Sequence, residues 1–305
     1  MPKEILVKNI AFLRFISKLL PLKSKLNFLI RKYLDGGNSL VIPYIRNYAV
    51  VVEPGSIATS TINNLVFEGG SYLPEYHLFR QIRSKLRPGY VCVDVGANIG
   101  TIIWQLAENS GHIYAFEPMP KLRDIIQSSA VYNQFTRLSL YNKAVGSEQG
   151  FVQMVDNENS SVVKGDASGT GLTIEVVALD DVLMDVPNID FLKIDVEGFE
   201  LDVLKGARNL LAKYKPILLV ELHPFFLKNY GIDFNEVILF LEENNYTIYY
   251  YSFLEEIRMG RINRFLTRYF PHKGKRFQSK EAFAKDIEIL PAKLSYHLYC
   301  EYRNA

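Results

Sequence analysis

The segment Val91–Thr101, VCVDVGANIGT, decides the fold. An apolar run rich in β-branched residues carries Asp94 near its end, a turn holding Gly96 and Gly100 follows, and a helix-like pattern begins at Thr101. Glycine permits the sharp turn and lets a ligand approach where a Cβ would obstruct it. Strand, glycine turn and helix at the start of a doubly wound sheet mark a nucleotide site.

Working outward, apolar runs at Tyr90–Val95, His112–Phe116, Arg137–Tyr141, Phe191–Ile194, Ile217–Glu221 and Tyr246–Tyr251 alternate with helix-like stretches. That alternation predicts an α/β fold whose mostly parallel, doubly wound sheet is covered by helices on both faces. The core domain is expected over residues 85–305. Residues 39–84 alternate apolar and polar positions and then read as a helix over Leu73–Leu86, which predicts a β/helix segment packed on the core. Residues 1–38 form a helical extension with two short amphipathic helices broken at Pro21. Strands at Phe151–Val155 and Leu172–Val177 predict a hairpin with a long polar tip between the third and fourth main strands.

Two classes of nucleotide compete for the glycine turn. A dinucleotide puts its pyrophosphate on the helix N-terminus, where the Asp94 carboxylate would repel it. S-adenosyl-L-methionine carries an ammonium and a sulfonium and no phosphate, so a carboxylate is attractive to it and forms charge-assisted hydrogen bonds. The second strand runs into AFEP and delivers Glu117 where an acid can accept both ribose hydroxyls. Asn142, ending the third strand, is a candidate contact to the adenine or the acceptor.

The order VDVGANIGT, AFEP, LYNKAVGS (Leu140–Ser147), LDDVL (Leu179–Leu183), DFLKIDVEGFE (Asp190–Glu200) and VELHP (Val220–Pro224) resembles the FkbM-like methyltransferases over about residues 70–225. The resemblance implies a class I methyltransferase (Rossmann-like) fold with a seven-stranded sheet. It also implies that Asp94, Gly96, Asn98 and Gly100 cradle the methionine portion of the cofactor while Glu117 holds its ribose, and that the reaction is O-methylation of a sugar, glycan or natural product.

Methyl transfer to an alcohol needs in-line alignment and a group to take the acceptor proton. In open α/β sheets the crevice lies beyond the carboxyl ends of the strands. Two strand ends bring Lys193, Asp195 and Glu197, and Glu221 and His223, towards it. His223 is the natural base because imidazole titrates near neutral pH. Asp195 is the alternative base, a partner of Lys193, or a helix cap. Glu197, Glu221 and Ser160 are expected against the acceptor, with Ser161 beside Ser160. Glu200 is expected to complement a helix N-terminus. A divalent cation on Asp195, Glu197, Glu221 and His223 would suit hard oxygen ligands, but no tight spacing calls for one and none is expected.

The bulk properties limit partners. A net charge of +2 provides no global field for nucleic acid, and none is expected as partner. The charge is uneven, because residues 1–35 hold eight lysines and arginines against Glu4 and Asp35. Those basic helices pack on the main domain, on a second subunit of a homodimer, or peripherally on an anionic membrane. The stretch Arg258–Arg276 interleaves basic and aromatic residues, as a lid over an anionic acceptor or an RNA surface would. Cys92 and Cys300 are isolated thiols, which predicts a reducing, cytoplasmic setting, and the N-terminus shows no signal-peptide pattern. An RNA methyltransferase and a membrane-associated scaffold with a degenerate fold are the competing readings.

Overall fold

The computed structural model describes residues 76–154, 171–252, 279–289 and 295–303, shorter stretches at 39–45, 47–53, 162–163 and 275–277, and a few isolated positions nearer the N-terminus. Along the chain run β1 (Ile5–Leu6), β2 (Leu40–Ile45), β3 (Tyr48–Val52), α1 (Tyr76–Lys85), β4 (Tyr90–Val95), α2 (Thr101–Leu106), β5 (Ser110–Phe116), α3 (Pro120–Tyr132) and β6 (Leu138–Tyr141). They are followed by β7 (Ala144–Val145), β8 (Gly150–Met154), β9 (Val162–Val163), β10 (Leu172–Val177), α4 (Leu179–Leu183), β11 (Phe191–Ile194), α5 (Glu200–Lys205) and α6 (Arg208–Tyr214). The last part comprises β12 (Ile217–Leu222), α7 (Pro224–Asn229), α8 (Phe234–Glu243), β13 (Tyr246–Ser252), β14 (Lys275–Phe277), α9 (Lys280–Ile289) and β15 (Tyr296–Tyr302).

The main sheet has the order β14-β13-β15-β12-β11-β4-β5-β6. Seven of these strands form the expected sheet, and the short β14 adds an antiparallel strand at the β13 edge. β15, which the sequence pattern did not single out as a strand, inserts antiparallel between β12 and β13. Strand order reverses between β4 and β11, which pair in parallel with Asp94 opposite Lys193. Ligands of open α/β sheets bind outside the carboxyl ends at such a reversal.

Because side chains alternate across a strand, each strand feeds both faces. Cys92, Phe191, Leu219 and Tyr299 join Phe79, Ile102, Ile103 and Ile126 in one core cluster. Val93, Ile194, Val220 and Leu298 join Leu201, Leu204, Leu227 and Leu241 in the other. The first face turns polar towards the carboxyl ends, since Asp94, Lys193, Glu221 and His297 each lie two residues along from an apolar member of that cluster, and Asp195 continues the row.

In the N-terminal segment β2 and β3 pair antiparallel; Leu40, Ile42, Tyr44, Val50 and Val52 join the first core cluster, while Val41, Ala49 and Val51 form a small cluster of their own. The pair is fastened to α3, where Asn133 Oδ1 accepts from Ala49 N at 2.9 Å and Asn133 Nδ2 donates to Ala49 O at 2.7 Å. Ser129 Oγ accepts from Val51 N at 2.8 Å. Side chains of a helix thus occupy the open edge that a strand otherwise exposes. β8 and β10 form the predicted antiparallel hairpin, in a four-stranded sheet of order β7-β10-β8-β9. Most of residues 1–38, Ser160, Ser161 and nearly all of the basic stretch 258–276 lie outside the described residues. Among the described residues, no helix is long and apolar enough to cross a membrane.

Removing the Asn133 side chain leaves the Ala49 backbone groups without their partner, a loss of about 1–3 kcal/mol. Asn133→Ala is therefore expected to lower the denaturant midpoint with an unchanged slope, and an unaltered midpoint would refute the role given to this contact.

Candidate active site

The turn after β4 is built from left-handed backbone: φ is 78° at Gly96, 54° at Asn98 and 80° at Gly100. At Gly96 the requirement is also steric, because a Cβ there would stand 1.8 Å from the carbonyl oxygen of Asp195. The turn therefore rests directly on the end of β11. Gly96 N and Ala97 N both donate to Phe116 O, at 3.0 and 3.1 Å, which locks the turn to the end of β5.

Glu117, just beyond β5, completes that lock. Its Oε2 accepts from Asn98 N at 2.7 Å and its Oε1 from Met119 N at 2.8 Å. Each oxygen keeps a lone pair for a ligand. Burial pushes the Glu117 carboxyl up to about 7 against the opposing pull of those two N–H groups. Asn142 Nδ2 donates to Glu117 O at 3.0 Å and to Pro118 O at 2.7 Å. Its amide N–H groups thus brace the loop that carries Glu117.

These elements border a cleft of about 470 Å³. Gly96, Asn98 and Glu117 line one side, residues 143–152 another, and Asp195, Val196, Glu197 and Phe199 a third. The volume lies in the usual range for small-molecule sites. Gly100 opens α2 and borders Trp104 and Ile126. Asp94 stands behind the turn at 1% exposure and does not line the cleft. Neither of its oxygens accepts a hydrogen bond, and the Lys193 ammonium is 3.7 Å from Oδ1. Burial raises its pKa, opposed by Lys193.

The ends of β11, β12 and β15 bring a second group of residues together. Lys193 Nζ donates to Asp195 Oδ2 at 3.0 Å. His223 Nδ1 lies 2.8 Å from Glu200 Oε1, while its Nε2 lies 3.7 Å from Glu221 Oε1 and 3.9 Å from Asp195 Oδ1. His297 Nε2 is 3.6 Å from Glu221 Oε2. A smaller cavity of about 60 Å³ opens beside Lys193, Asp195, Glu221 and His297. Asp195 borders both cavities.

Burial sets the baseline for these groups and charge decides their states. Burial and the neighbouring Glu221 push Asp195 up to about 6, with Lys193 and His223 pulling the other way. Burial likewise lifts Glu197 to about 7. It would lower Lys193, but the carboxylates of Asp195, Asp94 and Glu221 outweigh it and hold the ammonium. For His223 burial again works downward, and the Glu200 hydrogen bond with the charge of Asp195 overrides it, to about 9. Glu221 is held below its ordinary value by the two histidines, despite its burial.

Oxygens of Asp195 and Glu221 and a ring nitrogen of His223 come within 4.8 Å of one another, close enough to share a cation. The Lys193 ammonium already brings positive charge to that place. His297 and Glu200 were not foreseen as parts of the site. His297 becomes a neighbour of Glu221 only through the insertion of β15, where the two residues are in register, and a spacing pattern has no means of showing that. Glu200 is at 0% exposure and binds His223 as well as its own helix start.

The FkbM methyltransferase domain model matches residues 94–248. Hexuronic acid methyltransferase AglP of Haloferax volcanii is 28% identical over 172 residues, which cover 55% of this chain and 68% of that protein. Methyltransferase 1 of Beauveria bassiana is 28% identical over 141 residues, covering 37% of this chain and 57% of the relative. The crystal structure of methyltransferase FkbM from Methylobacillus flagellatus superposes with a TM-score of 0.44 at 18% identity, covering 79% of this chain and 53% of that one. The chain therefore spans about half of that solved protein. With the domain model matching more than half of its length, the chain belongs to the FkbM methyltransferase family.

Proposed function

We propose that this chain is an S-adenosyl-L-methionine-dependent O-methyltransferase whose acceptor is a hydroxyl of a sugar or glycan. The observation that carries the reading is Asp195, which borders both the cofactor-sized cleft and the small cavity among the ionisable residues. A proton acceptor at that junction is what methyl transfer to a hydroxyl requires.

The residues present fit the cofactor. Gly96 lines the cleft with its backbone, in a turn that only glycine lets sit this close to Asp195, and Glu117 keeps one lone pair on each oxygen at the edge of the cleft. Glu117 would hold the ribose diol, and Gly96 and Asn98 the methionine portion. Asp94 would act from behind the turn, as a buried negative charge in reach of a cationic ligand. When bound, the cofactor supplies a methyl carbon activated by a sulfonium.

Asp195 takes the acceptor proton, and Lys193 at 3.0 Å stabilises its carboxylate form. His223 is less suited to be the base, because carboxylates face both of its nitrogens. Glu197 and Glu221 are placed to accept hydrogen bonds from neighbouring acceptor hydroxyls. Five carboxylates (Asp94, Asp195, Glu197, Glu200 and Glu221) crowd this end of the sheet against Lys193 and two histidines. Like charges so close disfavour an anion, so the reacting group is an uncharged hydroxyl. The similarity to a protein named as a hexuronic acid methyltransferase supports a sugar acceptor.

Two tests follow from these assignments. In calorimetric titration with S-adenosylmethionine, Glu117→Gln should weaken binding by roughly 10- to 100-fold, the equivalent of a charge-assisted hydrogen bond of about 1.5–3 kcal/mol. Because the ionised carboxylate is the binding form, wild-type affinity should fall as pH drops through about 7, and the variant should lose this dependence. Undiminished affinity in the variant would remove Glu117 from the site. For the chemistry, transfer of labelled methyl groups into sugar nucleotides and glycan extracts should rise with pH through about 6, as Asp195 ionises. Asp195→Asn should lose about 100- to 10,000-fold in turnover while retaining cofactor affinity; turnover like the wild type's would eliminate Asp195 as the base.

A further inference from the structure

We propose that Glu200 is a positioning residue that holds His223 as an imidazolium, so that this histidine meets the acceptor as a hydrogen-bond donor and not as a base. The inference deepens the methyl-transfer reading above and rests on it for its catalytic meaning.

The local chain is built to bury Glu200. Glu197 and Gly198 both have left-handed backbone, with φ of 50° and 108°, and they turn the chain sharply from β11 into α5. Strain of this kind in a residue other than glycine persists only where its surroundings enforce it. A Cβ at Gly198 would stand 2.7 Å from Tyr230 Cε2 and 2.8 Å from Phe226 Cβ, so the absence of a side chain lets α7 close over the turn. Glu200 Oε1 then accepts from Gly198 N at 3.0 Å and faces His223 Nδ1 at 2.8 Å. A carboxylate this deep is costly unless a counter-charge accompanies it.

The other ring nitrogen is no freer. His223 Nε2 faces Glu221 Oε1 from β12 and Asp195 Oδ1 from the end of β11. Glu197 acts on the ring from the turn, while α7 contributes the Phe226 ring at 5.9 Å. Lys193 is the opposing cation, paired with Asp195, and the His297 ring stands beside Glu221. Either neutral tautomer would aim a lone pair at a carboxylate, through Nδ1 at Glu200 or through Nε2 at Asp195 and Glu221. Only the doubly protonated ring satisfies both sides. Its Nε2–H then faces Asp195 and Glu221, the two carboxylates that border the small cavity. The raised His223 pKa has the same sign.

The test is a histidine-selective ¹⁵N NMR titration of the full chain in EDTA, with the His223 signal identified by its loss in His223→Gln. The imidazolium pattern should persist through neutral pH and titrate near pH 9 in the wild type, and Glu200→Gln should move that midpoint down by about one unit or more. In the same variant, the high-pH limb of the methyl-transfer profile should shift down together with the NMR midpoint, while S-adenosylmethionine affinity is retained. A His223 that titrates near its ordinary value in the wild type would overturn the proposal; this part of the test needs only the wild-type chain, should the variant fail to fold. Equal midpoints in wild type and variant would overturn it as well. Because the NMR measurement uses neither donor nor acceptor, its failure and a failure of the methyl-transfer reading remain distinguishable.

Discussion

The seating of the first glycine turn on the carboxyl end of β11 is the constraint on which the rest depends. A Cβ at Gly96 would be 1.8 Å from Asp195 O, so two segments that are adjacent only in space come together more closely than any other residue type allows. One result is a cleft bordered by Gly96 and Glu117 on one side and by Asp195 and Glu197 on the other. The other is that the groups suited to hold a donor and the Asp195 carboxyl suited to take a proton line the same cleft. The reversal of strand order between β4 and β11 makes this meeting possible, and the absence of a side chain at Gly96 makes it close.

Charge organises the far side of that junction. The face of the sheet that packs α1 and α2 is apolar along its lower part and carries Asp94, Lys193, Glu221 and His297 near the carboxyl ends, with Asp195 just beyond. Carboxylates outnumber basic side chains there, and each basic side chain has one beside it: Lys193 has Asp195, His297 has Glu221, and His223 has Glu200. An electron-rich pocket of this kind suits a cationic donor and an uncharged hydroxyl acceptor. It also divides the labour between two residues that sequence alone leaves as rivals. Asp195 is raised by burial and Glu221 to about 6, where it can accept a proton, whereas His223 is held protonated by its carboxylate neighbours.

Much of the architecture was legible in the order of residues. The strands alternate in a way that only a sheet buried on both faces requires, and VCVDVGANIGT places the ligand turn at its first strand. The hairpin of β8 and β10 was readable from period-two patterning. β15 was not, because nothing in its YHLYCEY run says that it returns antiparallel between β12 and β13. Since β15 supplies His297, part of the site was lost with it. Asp94 was anticipated as a residue lining the ligand, yet it stands behind the turn beside Lys193. Period-two alternation assigns a side chain to a face of the sheet, not to a depth within it. For Asn142, nothing in the sequence shows that its Nδ2 donates to the carbonyls of Glu117 and Pro118.

A crystal structure of the full chain with S-adenosylhomocysteine tests the central claim most directly. The account predicts the ribose diol on Glu117, the homocysteine portion along the turn at Gly96 and Asn98, and the sulfur directed towards Asp195 and the small cavity next to it. A product molecule bound away from this cleft, or bound with its sulfur turned from Asp195, would contradict it.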